Sequence, residues 1–295
     1  MLCARSESVK GLSFPRPFMY NVEKTTAPEE WKMKIIALME NTAAREDLSS
    51  EHGLSLYIEA CGKKILFDAG QSEAFIDNAA ALNVDLTQVD LSVLSHGHYD
   101  HSGGLKRFLA INAHAPLYLN ERAFSDCWHG EDHYIGIDHT LKGNARLILT
   151  GDEYPLGEGL TLITCNQAPR PFPLSGKGLT IRNKDGSFTQ DEFLHEHYLL
   201  IEENGKRILI SGCSHKGILN IMQWLKPDIL IGGFHFMKLD PAADHERLKS
   251  SADALNAYGA AYYTCHCTGV EQFEALREWM GDRLHYLRAG DCLSF

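Results

Sequence analysis

The chain has 295 residues, a formal net charge of −11 and eight cysteines. That length suits one large mixed α/β domain, the acidic balance without any Lys/Arg-rich run argues against nucleic acid, and no apolar run approaches the roughly 20 residues of a bilayer-spanning helix. Eight cysteines in so long a chain make no disulfide scaffold, and no apolar core follows Arg5 and Lys10 to form a secretory signal, so the expected setting is cytoplasmic with reduced thiols.

Residues 1–32 carry Pro15, Pro17 and Pro28 and sustain no period; they are expected to be an extension, with one domain over 33–295. Met33–Met39 reads as a strand, and Leu54–Glu59 with Lys64–Phe67 as a hairpin turning at Cys61-Gly62-Lys63. Ala74–Leu82 reads as a helix, Leu91–Leu94 as a buried strand and Leu105–Ile111 as a short helix. Pro116–Leu119, Arg146–Leu149 and Leu160–Thr164 follow as strands. Residues 166–194, rich in Pro, Gly and polar side chains, read as a long loop or lid. A second hairpin, Tyr198–Ile201 with Arg207–Ile210, turns at Asn204-Gly205, and Ile218, Ile221, Met222 and Leu225 recur at helical spacing. Asp228–Phe234 reads as a buried strand, Leu248–Tyr258 as a helix and Ala261–Thr264 as a strand. Thr268-Gly-Val-Glu271 has the spacing of a capping box for a last helix. The two halves run in the same order, hairpins first and strand–helix units after.

The chemistry concentrates in Ser95-His96-Gly97-His98-Tyr99-Asp100-His101-Ser102-Gly103-Gly104. No regular element can aim three histidines and an aspartate within six residues at one point, whereas a strand end followed by a tight, glycine-rich loop can. His96 and His98 then face one metal, and Asp100 and His101 a second beside it. These donors suit zinc, with iron or manganese also compatible. A dinuclear centre needs donors from elsewhere, and ligands in open α/β sheets gather beyond the carboxyl ends of strands. Those ends carry Asp68, Cys213, His215, His235 and His266. His114, His245 and His285 read as surface or structural, His129, His133 and His139 as parts of a solvated loop, and Cys265 and Cys267 as buried thiols.

The pattern His96-x-His98-x-Asp100-His101 resembles the signature of the metallo-β-lactamase superfamily, and Phe67-Asp68-Ala69-Gly70 is similar to its first motif. With Gly212-Cys213-Ser214-His215-Lys216-Gly217, Gly232-Gly233-Phe234-His235 and Cys265-His266-Cys267-Thr268-Gly269, the resemblance narrows to the branch named for dihydropterin-(ribofuranosyl)aminobenzene-phosphate synthase. It covers roughly 33–295 and is weakest over 121–194. It implies an α/β fold, a four-layer αββα sandwich with two divalent metal ions at one edge between the sheets. His96 and His98 would bind the first ion, and Asp100, His101 and His266 the second. Asp68 would accept a hydrogen bond from a ligand histidine and fix its tautomer. Family members place a metal-bridging aspartate after the strand equivalent to Arg207–Ile210. This chain has Gly212-Cys213-Ser214-His215 there, so either Cys213 or His215 takes over or the bridge is missing, with His215 the first choice as a ligand. The third ligand of the first ion is open between His195, Glu196, His197 and His215. His235 is open between ligand, substrate contact and packed residue.

The expected activity is hydrolysis. Paired ions lower the pKa of a shared water, and the hydroxide attacks a phosphoester or phosphodiester, or else a lactone, thioester or amide. Asp100 and His215 are the expected catalytic pair, Asp100 binding metal and orienting the nucleophile. A helix expected to start near Ser102 would point its positive end at an anionic group. The partner is then a small anionic molecule, and neither nucleic acid nor a membrane. Two alternatives stay open: an iron-dependent redox enzyme of the dioxygenase type on the same fold, and the pterin-pathway synthase that the branch name implies.

Overall fold

The computed structural model describes residues 33–295, and the expected extension over 1–32 lies outside them. The strand Lys34–Met39 shows how the layers arise. Ile35 and Ala37 are buried in one core, while Ile36 and Leu38 are buried in another. Alternate side chains point to opposite faces of a strand, so a strand buried on both faces has a layer on each side. Tyr198–Glu203 repeats the pattern, with Leu199 and Ile201 in the same central core as Ile35, and Tyr198 and Leu200 in a third.

Two seven-stranded sheets follow from this. The first runs in the order Cys292–Ser294, Lys34–Met39, Ser55–Ala60, Lys63–Phe67, Leu91–Leu94, Leu117–Asn120, Leu147–Thr150. The second runs Leu284–Tyr286, Ala261–Thr264, Ile229–Ile231, Lys206–Ile210, Tyr198–Glu203, Leu160–Ile163, Glu153–Gly157. In each, a hairpin leads into parallel strands, from Lys63–Phe67 in the first sheet and from Lys206–Ile210 in the second. The expected duplication of architecture is therefore present. The central core lies between the sheets, and helices cover both outer faces. Ala74–Ala81 and Leu105–Ile111 pack on the first sheet, and Ile218–Leu225, His245–Asn256 and Val270–Met280 on the second. This is the αββα sandwich.

Four expectations need correction. The segment 166–194 contains the strands Leu179–Arg182 and Phe188–Gln190. They join Cys127–His129 and His133–Tyr134 in a third, four-stranded sheet over a small core of Cys127, Ile135, Leu179 and Phe193. Its central pairing sets Thr180 against Trp128, far apart in the chain, which no local pattern announces. The buried strand expected over 228–234 shortens to Ile229–Ile231. The capping box does not form: the Thr268 hydroxyl accepts from the Phe234 N–H at 2.8 Å, and the helix begins after Gly269 with no side-chain cap. Finally, the helix expected near Ser102 is a four-residue turn, Tyr99–Ser102, followed by Leu105–Ile111. Between them Gly103 runs against the chain, where a Cβ would lie 1.9 Å from the Gln71 carbonyl oxygen.

Candidate metal centre

The strand ends of both halves converge at one edge of the sandwich. Asp68 follows Lys63–Phe67, His96 follows Leu91–Leu94, Ser214 and His215 follow Lys206–Ile210, His235 follows Ile229–Ile231 and His266 follows Ala261–Thr264. Asp68, Ser214, His235 and His266 all take positive φ, between 49° and 60°. Left-handed backbone at non-glycine residues costs energy and clusters at functional sites. Here it turns each chain end back over the edge of its sheet.

Two sets of donors face each other there. Donor atoms of His96, His98 and His215 lie within 4.8 Å of one another, with His96 Nε2 only 3.2 Å from His215 Nε2. Beside them, Asp100 Oδ2 lies 3.3 Å from His266 Nε2 and 3.7 Å from His101 Nε2. Cys213 stands between the sets: its Sγ is 3.1 Å from His101 Nε2, and it groups both with His96 and His101 and with His266 and Cys267. Thus Cys213 occupies the place between the sets, and His215 completes the first.

The positions of the protons show what this arrangement accommodates. Asp68 can only accept, so Ser95 Oγ donates to its Oδ2 at 2.7 Å. Ser95 Oγ must then accept from His96 Nδ1, at 2.8 Å, which leaves His96 Nε2 without a proton in the neutral ring. His215 Nδ1 donates to the Ser175 carbonyl at 3.2 Å and His266 Nδ1 to Asn41 Oδ1 at 2.8 Å, which bares both Nε2 atoms. Burial holds these rings neutral: it pushes the pKa of His96 and His215 well below the ordinary value, and that of His266 down to about 4. Two lone pairs therefore face each other at 3.2 Å, and His266 Nε2 is buried with no hydrogen-bond partner. An unsatisfied buried polar atom costs about 1–3 kcal/mol, and a cation between the rings removes that cost. The donor set fits divalent metal.

His101 differs. Burial opposes its charged form, but the Asp68 and Asp100 carboxylates outweigh burial and its pKa is raised. Its Nδ1 donates to Asp68 Oδ2 at 2.6 Å, so Nε2 is the atom turned to the centre, and a metal there displaces a proton. Burial also opposes ionisation of Asp100, yet the charged His101 beside it holds its carboxyl well below the usual range.

The remaining candidates are engaged elsewhere. His197 donates from Nε2 to the Leu94 carbonyl at 2.7 Å, and its Nδ1 lies 3.4 Å from Thr150 Oγ1, so it ties the two sheets together. The Glu196 carboxylate accepts from the backbone N–H of His215 at 2.6 Å and of Lys216 at 3.0 Å, which shapes the loop presenting His215. His195 bonds Asp191 Oδ2 at 3.0 Å and accepts from the Gly97 N–H at 3.1 Å, steadying the turn between His96 and His98. His235 packs on His215 with ring centroids 4.4 Å apart and lines the cleft. Burial, and then the Lys238 ammonium, push its pKa down to about 4. Of the two thiols beside His266, Cys265 faces the central core, whereas Cys267 lines the cleft.

The centre opens into a cleft of about 190 Å³ lined also by His52, Tyr99, His129, His133, Ile135, Leu179 and Lys238. Sequence reasoning missed His52, whose Nε2 lies 3.3 Å from Asp100 Oδ2 and whose ring packs 4.7 Å from that of His266. It also missed Asn41, the acceptor for His266. Both sit in the irregular segment between the first two strands, where no spacing flags them. His129 and His133, expected in a solvated loop, stand at the cleft on the third sheet.

A sandwich of this topology with histidine, aspartate and cysteine donors at its strand ends defines a class. The family model described as the metallo-beta-lactamase superfamily matches residues 51–263, and the chain belongs to that superfamily, whose members bind divalent metals. It is similar, at 29% identity over 289 residues covering 89% of this chain and 97% of the other, to the 7,8-dihydropterin-6-methyl-4-(beta-D-ribofuranosyl)-aminobenzene-5'-phosphate synthase of Methanocaldococcus jannaschii. An uncharacterized protein of the same organism is 31% identical over 250 residues, covering 82% and 93% of the two chains. Among solved structures, Tm1679, described as a metal-dependent hydrolase of the beta-lactamase superfamily, matches with a TM-score of 0.76 at 25% identity, over 88% of this chain and 98% of that one. Among the described residues no helix is long and apolar enough to cross a membrane.

Proposed function

We propose that the chain is a metal-dependent hydrolase acting on a small anionic substrate, with a phosphoester or phosphodiester as the first choice. His96, His98 and His215 would hold one divalent ion, and Asp100, His101 and His266 a second, with Cys213 between them and zinc the ion these donors suit best. Bound there, the ions supply Lewis acidity and a water ionised near neutral pH. The chain supplies the rest. Asp68, through Ser95, leaves a bare His96 Nε2 toward the centre, and by accepting from His101 Nδ1 it makes the Nε2 proton of His101 the one a metal displaces. Asp100 is held charged and oriented by His52 and His101. His52, His129, His133, His235 and Lys238 line the cleft against a single carboxylate, Asp100, which suits an anion although the chain as a whole is acidic.

The observation that carries this reading is the meeting of His96 and His215 through unprotonated nitrogens. Replacing His96 and His98 together with alanine should abolish both bound metal, measured by elemental analysis, and turnover of generic phosphodiesters. Retained turnover in the metal-free variant would refute the reading. Iron as the dominant metal, with oxygen consumption, would replace it with a redox one. The likeness to the synthase supports a second reading, a bond-forming step on a pterin. Incubation with a dihydropterin and a ribofuranosylaminobenzene phosphate, followed by mass spectrometry for the joined product, separates the two.

A further inference from the structure

The cleft is closed on one side by the third sheet and on the other by the loop after Ile229–Ile231, and the two sides meet at one contact. Lys238 Nζ, on the loop, donates to His129 Nε2, on the sheet, at 3.1 Å. His129 accepts through Nε2, so its remaining proton is on Nδ1, and the ammonium keeps two further donors. The strand Cys127–His129 that carries His129 is fixed from both sides, by Leu179↔His129 and by His129↔His133. Among the described residues Lys238 has no carboxylate within salt-bridge distance, and the only acidic side chain lining the cleft, Asp100, is already engaged by His52 and His101. An ammonium at the mouth of a partly enclosed cleft, uncompensated by protein charge, is a place for an anion.

We infer that Lys238 and His129 form an oxyanion subsite, spanning the loop and the third sheet, that holds a non-reacting phosphate group of the substrate while the scissile bond lies over His215, Cys213 and His266. The inference rests on the hydrolase reading and adds the substrate class to it: a phosphoester with a second phosphate at a distance the cleft can bridge. The reacting group is placed by the centre and the anchor phosphate by residues that contribute no donor to it. Binding and chemistry can therefore be separated by mutation.

The test uses metal-loaded wild-type protein, Lys238→Met and His129→Gln, all checked for equal metal content. Lys238 and His129 are exposed, and methionine keeps most of the lysine stem. Two matched substrates are compared, alkyl p-nitrophenyl phosphodiesters with and without a terminal phosphate on the alkyl arm. Wild type should prefer the phosphate-bearing diester. Lys238→Met should raise its KM by about tenfold or more, the loss expected for one charge-assisted hydrogen bond, with kcat little changed and a much smaller effect on the plain diester. His129→Gln should move KM in the same direction by less. Equal effects on both substrates, no effect on either, or no wild-type preference overturn the subsite. Should wild type hydrolyse neither diester, it is the hydrolase reading that fails. The subsite is then judged by calorimetric binding of 3-phosphopropanol to the metal-loaded proteins, where a tenfold weaker Kd in Lys238→Met supports it and an equal Kd overturns it.

Discussion

Replacing Asp68 with asparagine perturbs the centre at a residue that contributes no donor to it. In the native chain Oδ1 accepts from the Ser95 N–H at 2.7 Å, while Oδ2 accepts from Ser95 Oγ at 2.7 Å and from His101 Nδ1 at 2.6 Å. In the variant the amide oxygen can keep the Ser95 N–H, which leaves an NH2 facing two groups that were themselves donors. His101, on losing one of its two protons, keeps the other on Nε2 rather than on Nδ1. Ser95 answers by turning its hydroxyl toward His96 Nδ1, which sends the His96 proton to Nε2 as well. Both nitrogens turned to the centre would then carry hydrogen and could not ligate. Loss of such a partner weakens metal binding roughly ten- to a hundredfold, or about 1.4–2.7 kcal/mol. At fixed free metal that amount disappears from the stabilisation the metal confers, a drop in Tm of roughly 3–5 °C for a domain of this size. The metal-free variant also loses the buried Asp68–His101 ion pair, so its Tm should fall below that of wild type, and the effect on metal binding is read from the rise in Tm that each protein gains with metal.

Calorimetry with zinc and with chelator, together with competition titration, reads both states. Ser95→Ala is the internal control. It keeps Asp68 on His101 but breaks the path to His96, so its weakening should be confined to the first ion. An Asp68→Asn protein with native metal affinity and a native metal-dependent rise in Tm would refute the reasoning. So would a Ser95→Ala protein that weakens both ions equally.

Three further outcomes are expected. Cys213→Ala, which removes the sulfur 3.1 Å from His101 Nε2, should lower the metal content toward one ion per chain, whereas Cys213→Asp should retain two; equal content in wild type and Cys213→Ala counts against a place for the thiol in the centre. Gly97→Ala puts a Cβ 2.0 Å from the Ala123 carbonyl oxygen, a backbone atom that cannot swing away. The overpacking should cost about 1–3 kcal/mol and displace His96 and His98, lowering the denaturant midpoint and the metal content together; an unchanged midpoint contradicts the packing argument. Metal-free protein should lose stability on acidification, because burial lowers the pKa of His197 to about 4, and histidine unfolds to an ordinary value near 6.5. Between those values the unfolded chain binds the extra proton, so stability is intact above pH 6.5 and falls toward pH 4, by about 1.4 kcal/mol per pH unit per such histidine. Urea unfolding across that window, with His197→Gln as the comparison, checks the slope, and identical slopes remove His197 from the explanation.

The metal-binding edge was legible because its information is local. His96, His98, Asp100 and His101 fall within six residues, and the other donors each close an apolar run that reads as a buried strand. The choice between His215 and the triplet 195–197 was not legible. All lie within a turn or two of a strand end, and only the hydrogen bonds separate them: His197 spends Nε2 on Leu94, and Glu196 takes two N–H groups of the loop that carries His215. Likewise Thr268 and Glu271 have the right spacing for a cap, but the Phe234 N–H, buried and needing an acceptor, takes the hydroxyl instead. A backbone donor with no alternative outcompetes a helix end that can use water or glycine geometry.

The third sheet was illegible for a different reason, and the reason bears on function. Its strands are two to four residues long, and Cys127–His129 meets Leu179–Arg182 across some fifty positions, so neither periodicity nor turn chemistry betrays the pairing. Yet this sheet brings His129, His133 and Leu179 to the cleft, opposite Met237 and Lys238. The candidate metal donors are thus written in short-range spacing on the sandwich, while the groups proposed to select the substrate depend on long-range pairing within the third sheet. Similarity to a protein named as a synthase and to one described as a hydrolase therefore does not by itself name the molecule this chain acts on. For that reason the specificity of this chain is best sought in variants of His129 and Lys238, which leave every donor of the centre in place.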